Sequence, residues 1–283
     1  MNWRRLLTVI GLGLFIWFIV REEKHFLPAW QSIRHISIGW IIGLVTLEMC
    51  YYCFNAYATQ AALAFFGQTF AWRKLLLIGM ESIYLNSVVP SVGLAGLAPL
   101  WEQAVDTQQS KKLTASGYIL TTVMEVTAIG ILWIGLSITN PYRIALAVGV
   151  PLLLIFGPRL FKKTRYLAQS LTWAFLANAC EATILFLLFR AMHYPVAVET
   201  SLFVYSVSML AWYLSPTPQG LGTVELIASA ALVKSGLPAG AALAIPLTYR
   251  LFVQLLPVVI GLISYSLRRL RSGRSTPAVP SES

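Results

Sequence analysis

Long apolar runs separated by short, mostly basic, polar stretches recur from one end of the chain to the other. Runs over about 5–20, 38–62, 113–138, 143–157, 167–190 and 240–266 approach or exceed the roughly 20 residues that carry a helix across a bilayer. Two further apolar segments, about 75–108 and 198–235, are interrupted. The first interruption is Asn86-Ser87-Val88-Val89-Pro90-Ser91-Val92-Gly93-Leu94-Ala95-Gly96. The second is Ser215-Pro216-Thr217-Pro218-Gln219-Gly220-Leu221-Gly222-Thr223-Val224-Glu225. Proline removes a backbone donor and glycine weakens a helix, so each break frees peptide groups. In hydrocarbon those groups must be buried in protein or line a wet cavity. A matched pair of broken helices in two halves of a membrane protein therefore points to a substrate site. Each interrupted segment reads either as a long span plus a surface helix, or as a hairpin entering and leaving on one side.

Composition agrees. The chain has 283 residues, 57% hydrophobic and 11% charged, where soluble domains carry about 25% charged residues. Its mean hydropathy is +0.71. The expected fold class is all-α: a polytopic helical membrane protein with about six full spans plus two re-entrant broken-helix hairpins. No length is left for a soluble catalytic domain. The start, Met1-Asn2-Trp3-Arg4-Arg5 and then Leu6 to Val20, mimics a signal peptide. No small-residue cleavage site follows before Arg21-Glu22-Glu23-Lys24, so it reads as a retained first span. The expected organisation is one membrane domain over 1–267, with repeat halves at about 1–139 and 140–267, then a basic, disordered tail over 268–283.

The net charge of +10 invites a nucleic-acid reading, but the basic residues sit in short loops between spans. There they orient the protein and meet anionic headgroups. With both interrupted segments as hairpins and a cytoplasmic N-terminus, fourteen Lys and Arg fall inside and six outside, leaving Arg250 within a span. That is the sign of the positive-inside rule, with N- and C-termini both in the cytoplasm of a bacterial inner membrane. The basic run from Arg268 to Arg274 borders the last span and is expected to touch anionic lipid.

The halves resemble each other. Trp40 precedes Glu48 by eight residues, and Trp173 precedes Glu181 by eight. Glu48 leads to Pro90, and Glu181 to Pro218. An odd number of crossings per half turns the second copy over, which predicts an inverted repeat.

Six ionisable residues lie inside apolar segments: Glu48, Glu81, Glu125, Glu181, Glu225 and Arg250. A charged, unpaired side chain at a helix centre costs on the order of 2.5–3.5 kcal/mol on insertion scales, so each must face the interior, pair or stay protonated. Arg250 keeps its charge and can grip a phosphate with parallel hydrogen bonds, or it can form a buried ion pair with Glu225, Glu181 or Glu125. Glu225 follows Gly222 by three residues and also suits a helix N-terminus. Glycines of both breaks (Gly93, Gly96, Gly220, Gly222) with Pro90, Pro216, Pro218 and Asn86 would aim backbone N–H groups at an anionic ligand, or simply kink a packed helix pair. Glu48, Glu81, Glu125 and Glu181 fit charge balance, a proton relay or helix–helix contacts. Asn55, Asn86, Asn178 and Gln254 suit interhelical hydrogen bonds. Trp30, Trp72 and Trp101 suit the interface, and Glu102 a plain surface position. Cys50-Tyr51-Tyr52-Cys53 lies in an apolar helix without a second pair, and the three histidines do not cluster, so neither metal nor cofactor is indicated. No Ser/His/Asp or Cys/His constellation supports an enzyme.

These residues resemble the transmembrane-region family of lysylphosphatidylglycerol synthases. The resemblance rests on Asn86…Pro90…Gly93…Gly96 with Glu125 downstream. It rests more specifically on Pro216-Thr217-Pro218-Gln219-Gly220-Leu221-Gly222-Thr223-Val224-Glu225, then Arg250 and Pro257…Gly261. Members carry Glu-Arg in the span after the first break, where this chain has Glu125-Val126. The soluble aminoacyl-transfer domain is not in the sequence, so lipid aminoacylation is not implied. What is implied is movement of a polar-headed lipid, phosphate-bearing or polyprenyl-type, between leaflets. Two alternatives stand beside it: a proton-coupled transporter of a small solute, and an accessory subunit for glycolipid or hopanoid synthesis. The expected partners are membrane lipid as substrate, anionic lipid at the basic loops, and a further copy or a biosynthetic enzyme, with no nucleic acid.

Overall fold

The structure is a computed structural model that describes residues 36–88, 94–137, 162–215 and 217–272. Among them are eight α-helices and no strand. They are α1 (Ile38–Phe65), α2 (Trp72–Val88), α3 (Leu97–Asp106), α4 (Lys111–Ser137), α5 (Lys162–Ala191), α6 (Val198–Leu214), α7 (Thr223–Lys234) and α8 (Ala239–Ser272). Short 3-10 turns at Leu94–Gly96 and Pro218–Gly220 precede α3 and α7. Four helices are long and apolar enough to cross a membrane: Ile38–Phe65, Lys111–Trp133, Thr164–Ala191 and Ala239–Arg268. They coincide with four of the six spans read from the sequence. The other two, about 5–20 and 143–157, lie outside the described residues.

The element order runs twice: long helix, 17-residue helix, 3-10 turn, short helix, long helix. The two equivalent first helices, α1 and α5, form the central seam. Ser170 donates to the Ala58 carbonyl at 3.0 Å, while Phe54 and Tyr57 stack on Trp173 at 5.6 and 5.2 Å. Nearer the other end, Leu44 shares an apolar cluster with Ile184 and Leu188. The contacts thus climb one helix as they descend the other, so α1 and α5 are antiparallel. Antiparallel packing of equivalent helices is what an inverted repeat requires. Alanines are buried along both helices, Ala58, Ala61 and Ala62 on α1 and Ala168, Ala174, Ala177 and Ala182 on α5, with Ala58 and Ala174 in one apolar cluster. Small side chains let helices approach closely where lipid removes the hydrophobic drive for association. On α8, Leu251, Leu255, Val259, Leu262, Ile263 and Leu267 stay exposed at helical spacing, an outward apolar stripe suited to lipid.

The first interrupted segment is a hairpin. Its ends are tied where Thr69 N–H donates to Gln109 Oε1 at 3.3 Å and Ser110 N–H to Gln68 Oε1 at 3.1 Å. Its arms meet at Asn86 and Gly96. At 1.5 Å per residue, α2 rises ~25 Å and α3 ~15 Å, deep into a hydrocarbon core of ~30 Å. In the second, Ser215 and Thr223 hydroxyls meet at 3.1 Å near the tip. Tyr194, Val196, Leu232 and Leu237 share the apolar cluster at its base.

Each hairpin leans on the last helix of the opposite half: α2 on α8, and α6 on α4. At the α2–α8 crossing, a Cβ on Gly261 would stand 2.2 Å from the Met80 carbonyl oxygen. Ser264 donates to Glu81 at 2.7 Å, and Arg268 binds Glu81 at 2.6 Å and Glu102 at 2.9 Å. Three expectations change here. Glu102 is an ion-pair partner rather than a plain surface residue. Arg268 is committed to two carboxylates rather than to lipid. The helix continues to Ser272, past the expected start of the tail at 268.

Gly261→Ala is expected to lower the thermal unfolding midpoint of the purified protein in detergent, with overpacking costing about 1–3 kcal/mol. Gly43→Ala, at a helical glycine with nothing within 4 Å, should be neutral or stabilising by up to ~1 kcal/mol. Equal midpoints for the two variants would contradict the close α2–α8 approach.

Candidate functional site

A cavity of about 180 Å³ lies where the two hairpin tips meet the long helices. Asn86 of α2 and Gln219 of the second turn both line it, as do Asn55 of α1, Glu125 of α4, Glu181 of α5 and Arg250 of α8. Six tyrosines complete the wall: Tyr51, Tyr52, Tyr118, Tyr205, Tyr213 and Tyr249.

The second break builds the cationic end. Gln219, Gly220 and Gly222 all have left-handed backbones, with φ of +49°, +69° and +83°. Glycine takes such angles freely, but for glutamine they cost on the order of 1–3 kcal/mol. Two bonds offset this cost. Gln219 Nε2 donates to the Ile83 carbonyl at 2.6 Å, joining the second tip to the first hairpin. The Gln219 carbonyl accepts from Arg250 Nη2 at 2.9 Å. Glu225 then reaches back to the Gly222 N–H at 2.8 Å and pairs with Arg250 Nε at 2.7 Å. Both sequence readings of Glu225 hold together: it closes the N-terminus of α7 and is the counter-ion of Arg250. Arg250 Nη1 is buried with no hydrogen-bond partner. Arg250 thus has its Nε and Nη2 fixed by protein and one unspent donor group.

The first break is quieter. Asn86 Oδ1 accepts the Gly96 N–H at 2.9 Å, and the Ser82 hydroxyl lies 2.6 Å from the Gly96 carbonyl. A side chain at Gly96 would meet Asn86 Nδ2 at 2.8 Å. Pro90, Gly93 and Pro216 lie outside the described residues, and Pro218 is seen only as backbone of the 3-10 turn.

One expectation is corrected directly. The break glycines were expected to present free N–H groups to an anion. Those of Gly96, Gly220 and Gly222 are instead taken by Asn86, by the Thr217 carbonyl at 3.1 Å and by Glu225. A second concerns Glu81, which turns to Arg268 and Ser264 and does not line the cavity. Glu48 is also off the cavity wall, 1% exposed, between α1 and its neighbours.

The carboxylic end holds Glu125 and Glu181. Glu125 accepts from Asn55 Nδ2 and from the Tyr213 hydroxyl at 2.6 Å. The Tyr205 hydroxyl lies 3.0 Å from Glu181 Oε2 and 2.7 Å from Asn178 Oδ1. Glu125 therefore stands among neutral donors and leaves the arginine to Glu225.

Sequence reasoning missed the tyrosines and Gln219. The signal was present: Tyr51 and Asn55 are four apart, Tyr118 and Glu125 seven, and Tyr205 and Tyr213 eight, all spacings that share a helix face. Gln219 sat unremarked between two residues chosen for their backbone effect. Among the described residues no group of His, Cys, Asp and Glu could hold a metal ion.

Comparison with known proteins gives a consistent picture. The sequence matches the family described as lysylphosphatidylglycerol synthase TM region across residues 4–261. It is also 34% identical over 80 residues to a UPF0104 membrane protein of Methanocaldococcus jannaschii, covering 28% of this chain and 24% of that protein. The aligned part is thus about a quarter of that relative's length.

Glu225→Ala is expected to destabilise the protein by about 3–5 kcal/mol, because it leaves a buried guanidinium without its counter-ion. Adding Arg250→Ala should recover part of that loss. The check is a thermal-unfolding double-mutant cycle; additive effects would show that the pair is not coupled.

Proposed function

Because the chain belongs to the lysylphosphatidylglycerol synthase transmembrane-region family, we propose that this membrane protein moves a lipid with a phosphate-bearing headgroup, of glycerol or polyprenyl type, between the leaflets of a bacterial cytoplasmic membrane. The observation that carries the reading is Arg250. It lines a cavity between two hairpin tips, is held rigidly by Glu225 and Gln219, and keeps Nη1 unspent. A planar guanidinium fixed through two nitrogens and open at the third is pre-organised for an anionic oxygen. At about 180 Å³ the cavity is below the ~300–1,000 Å³ of ordinary ligand pockets. That scale suits a headgroup, with the tails left in the surrounding lipid.

Arg250 holds the phosphate. The Tyr and Asn side chains of the wall offer hydroxyl and amide groups to the rest of the headgroup. Glu125 and Glu181 keep the cavity from being a purely anionic trap, so that the ligand can leave as well as enter. The basic loops face the cytoplasm, with both termini inside. No covalent step is part of this reading, and the protein acts as a translocase rather than an enzyme.

The test uses purified protein in liposomes carrying a fluorescent phospholipid. Arg250→Lys keeps the charge but loses the fork, and is expected to slow lipid movement about tenfold or more. A charge-assisted hydrogen bond contributes about 1.5–3 kcal/mol, and 1.4 kcal/mol is a factor of ten. Wild-type rates in Arg250→Lys and in Arg250→Ala/Glu225→Ala at equal abundance would refute the assignment. Uptake of water-soluble solutes with no lipid movement would favour a solute transporter instead.

A further inference from the structure

We propose that Glu48 and Glu181 form a proton-binding site between α1 and α5, and that the proton held there is the ion whose movement drives transport. The second half rests on the translocase reading above; the first does not.

Glu48 and Glu181 are 1% and 4% exposed. The antiparallel register set by Ser170 on Ala58 and by Trp173 on Phe54 and Tyr57 brings them to the same level of the seam. The two carboxyl groups interact electrostatically there. Neither forms an ion pair among the described residues. The groups that face them are Tyr51 and Tyr52 on α1, Cys180 on α5, Tyr205 and Tyr213 on α6, Glu125 on α4 and Tyr249 on α8. None is a cation. Arg250 of α8 is engaged by Glu225, and Glu81 of α2 by Arg268.

The hydrogen-bond inventory favours a proton there. Both Glu48 oxygens are buried without a donor. The adjacent Tyr52 spends its one proton on the Val253 carbonyl at 3.1 Å. A hydroxyl has one proton, so Tyr52 cannot serve the Val253 carbonyl and Glu48 at the same time. Tyr205 has one proton and two claimants, Asn178 Oδ1 at 2.7 Å and Glu181 Oε2 at 3.0 Å. Asn178 Nδ2 donates to the Ala174 carbonyl at 2.8 Å, and the single Tyr205 proton cannot serve Asn178 Oδ1 and Glu181 at the same time. Tyr249, whose hydroxyl has no partner, is a further donor near the pair. A buried carboxyl without a donor costs far less neutral than charged, so the pair is best satisfied with a proton on it. Two carboxylates at one level of a helix seam also resist ionising together.

Position gives this proton a use. Glu48 and Glu181 are equivalent residues of the two repeats, so they flank the local twofold between the halves. When inverted halves exchange conformations, a site on that axis stays in place while the side to which it opens changes. The step balances simply: a carboxylate takes a proton from one aqueous side and returns it to the other.

The test is infrared difference spectroscopy of the full chain in lipid nanodiscs, with the proton itself as probe. Wild type is expected to show a protonated-carboxyl band at neutral pH that disappears at alkaline pH. Glu48→Gln/Glu181→Gln should lose this band, while Glu125→Gln keeps it. Glutamine replaces a neutral acid with a neutral amide, so an unchanged or raised unfolding midpoint will report an intact fold. A wild type without the band, or a double variant that retains it, overturns the site. In liposomes carrying fluorescent phospholipid, an imposed pH gradient should accelerate wild-type lipid movement and leave Glu48→Gln unresponsive. A wild-type rate indifferent to the gradient overturns the coupling. A wild type that moves no lipid defeats the translocase reading instead, and the infrared result still judges the proton site.

Discussion

Everything in this molecule answers to one constraint: a peptide group at membrane depth must find a partner within the protein. Each break in a helix creates such groups, and several of them are met by side chains while the Gly220 N–H is met by the Thr217 carbonyl. Asn86 receives the Gly96 N–H. Glu225 receives that of Gly222. Arg250 covers the Gln219 carbonyl, and Gln219 in turn covers Ile83. Even α8 follows the rule. Pro257 cannot donate to the Val253 carbonyl one turn below, and the Tyr52 hydroxyl of α1 takes that place. The partners that make the backbone tolerable in lipid are the walls of the cavity, so packing and site are one network.

On the cavity wall that network leaves Arg250 Nη1 and the Ser208 and Tyr249 hydroxyls without a partner, and this narrows the chemistry. Of the four carboxyl groups nearest the cavity, Glu225 is neutralised by Arg250 and Glu125 is surrounded by amide and hydroxyl donors. The remaining two sit at the seam between α1 and α5. On the proposed reading, ligand recognition falls to Arg250 Nη1 and a ring of tyrosines. Ion handling, on the proposed reading, falls to a separate pair of acids. On that reading the two tasks are divided between Arg250 of α8 and the α1–α5 seam, joined through Tyr52, Tyr205 and Tyr249.

Much of this was legible in the sequence. Hydropathy alone gave the all-helical class and the four spans that the structure describes. The Pro/Gly breaks located both hairpin tips, because proline and glycine act locally. The Trp40–Glu48 and Trp173–Glu181 spacings carried the repeat. What stayed hidden depends on distant partners. Nothing local to Glu102, Glu81 or Arg268 says that the three meet, since they come together only when α2, α3 and α8 pack. Glycine in a break signals a free N–H only locally; the partners that take these N–H groups, Asn86, the Thr217 carbonyl and Glu225, are set by the folded backbone of each break. Gln219 was passed over because its importance lies in a backbone angle and a contact with Ile83, neither of which a side-chain type announces.

The clamp between the hairpin and the last helix has a consequence for how the chain is made. Ser264 and Arg268 reach Glu81 across 183 and 187 residues of sequence. At ~5–20 residues per second of synthesis, the first hairpin waits roughly 10–40 s before the helix that clasps it has been made. Throughout that interval Glu81 and the groove that Gly261 will fill have no final partner. The first hairpin is therefore a guest of the insertion machinery, or of lipid at the bilayer surface, until the last helix arrives to seat it.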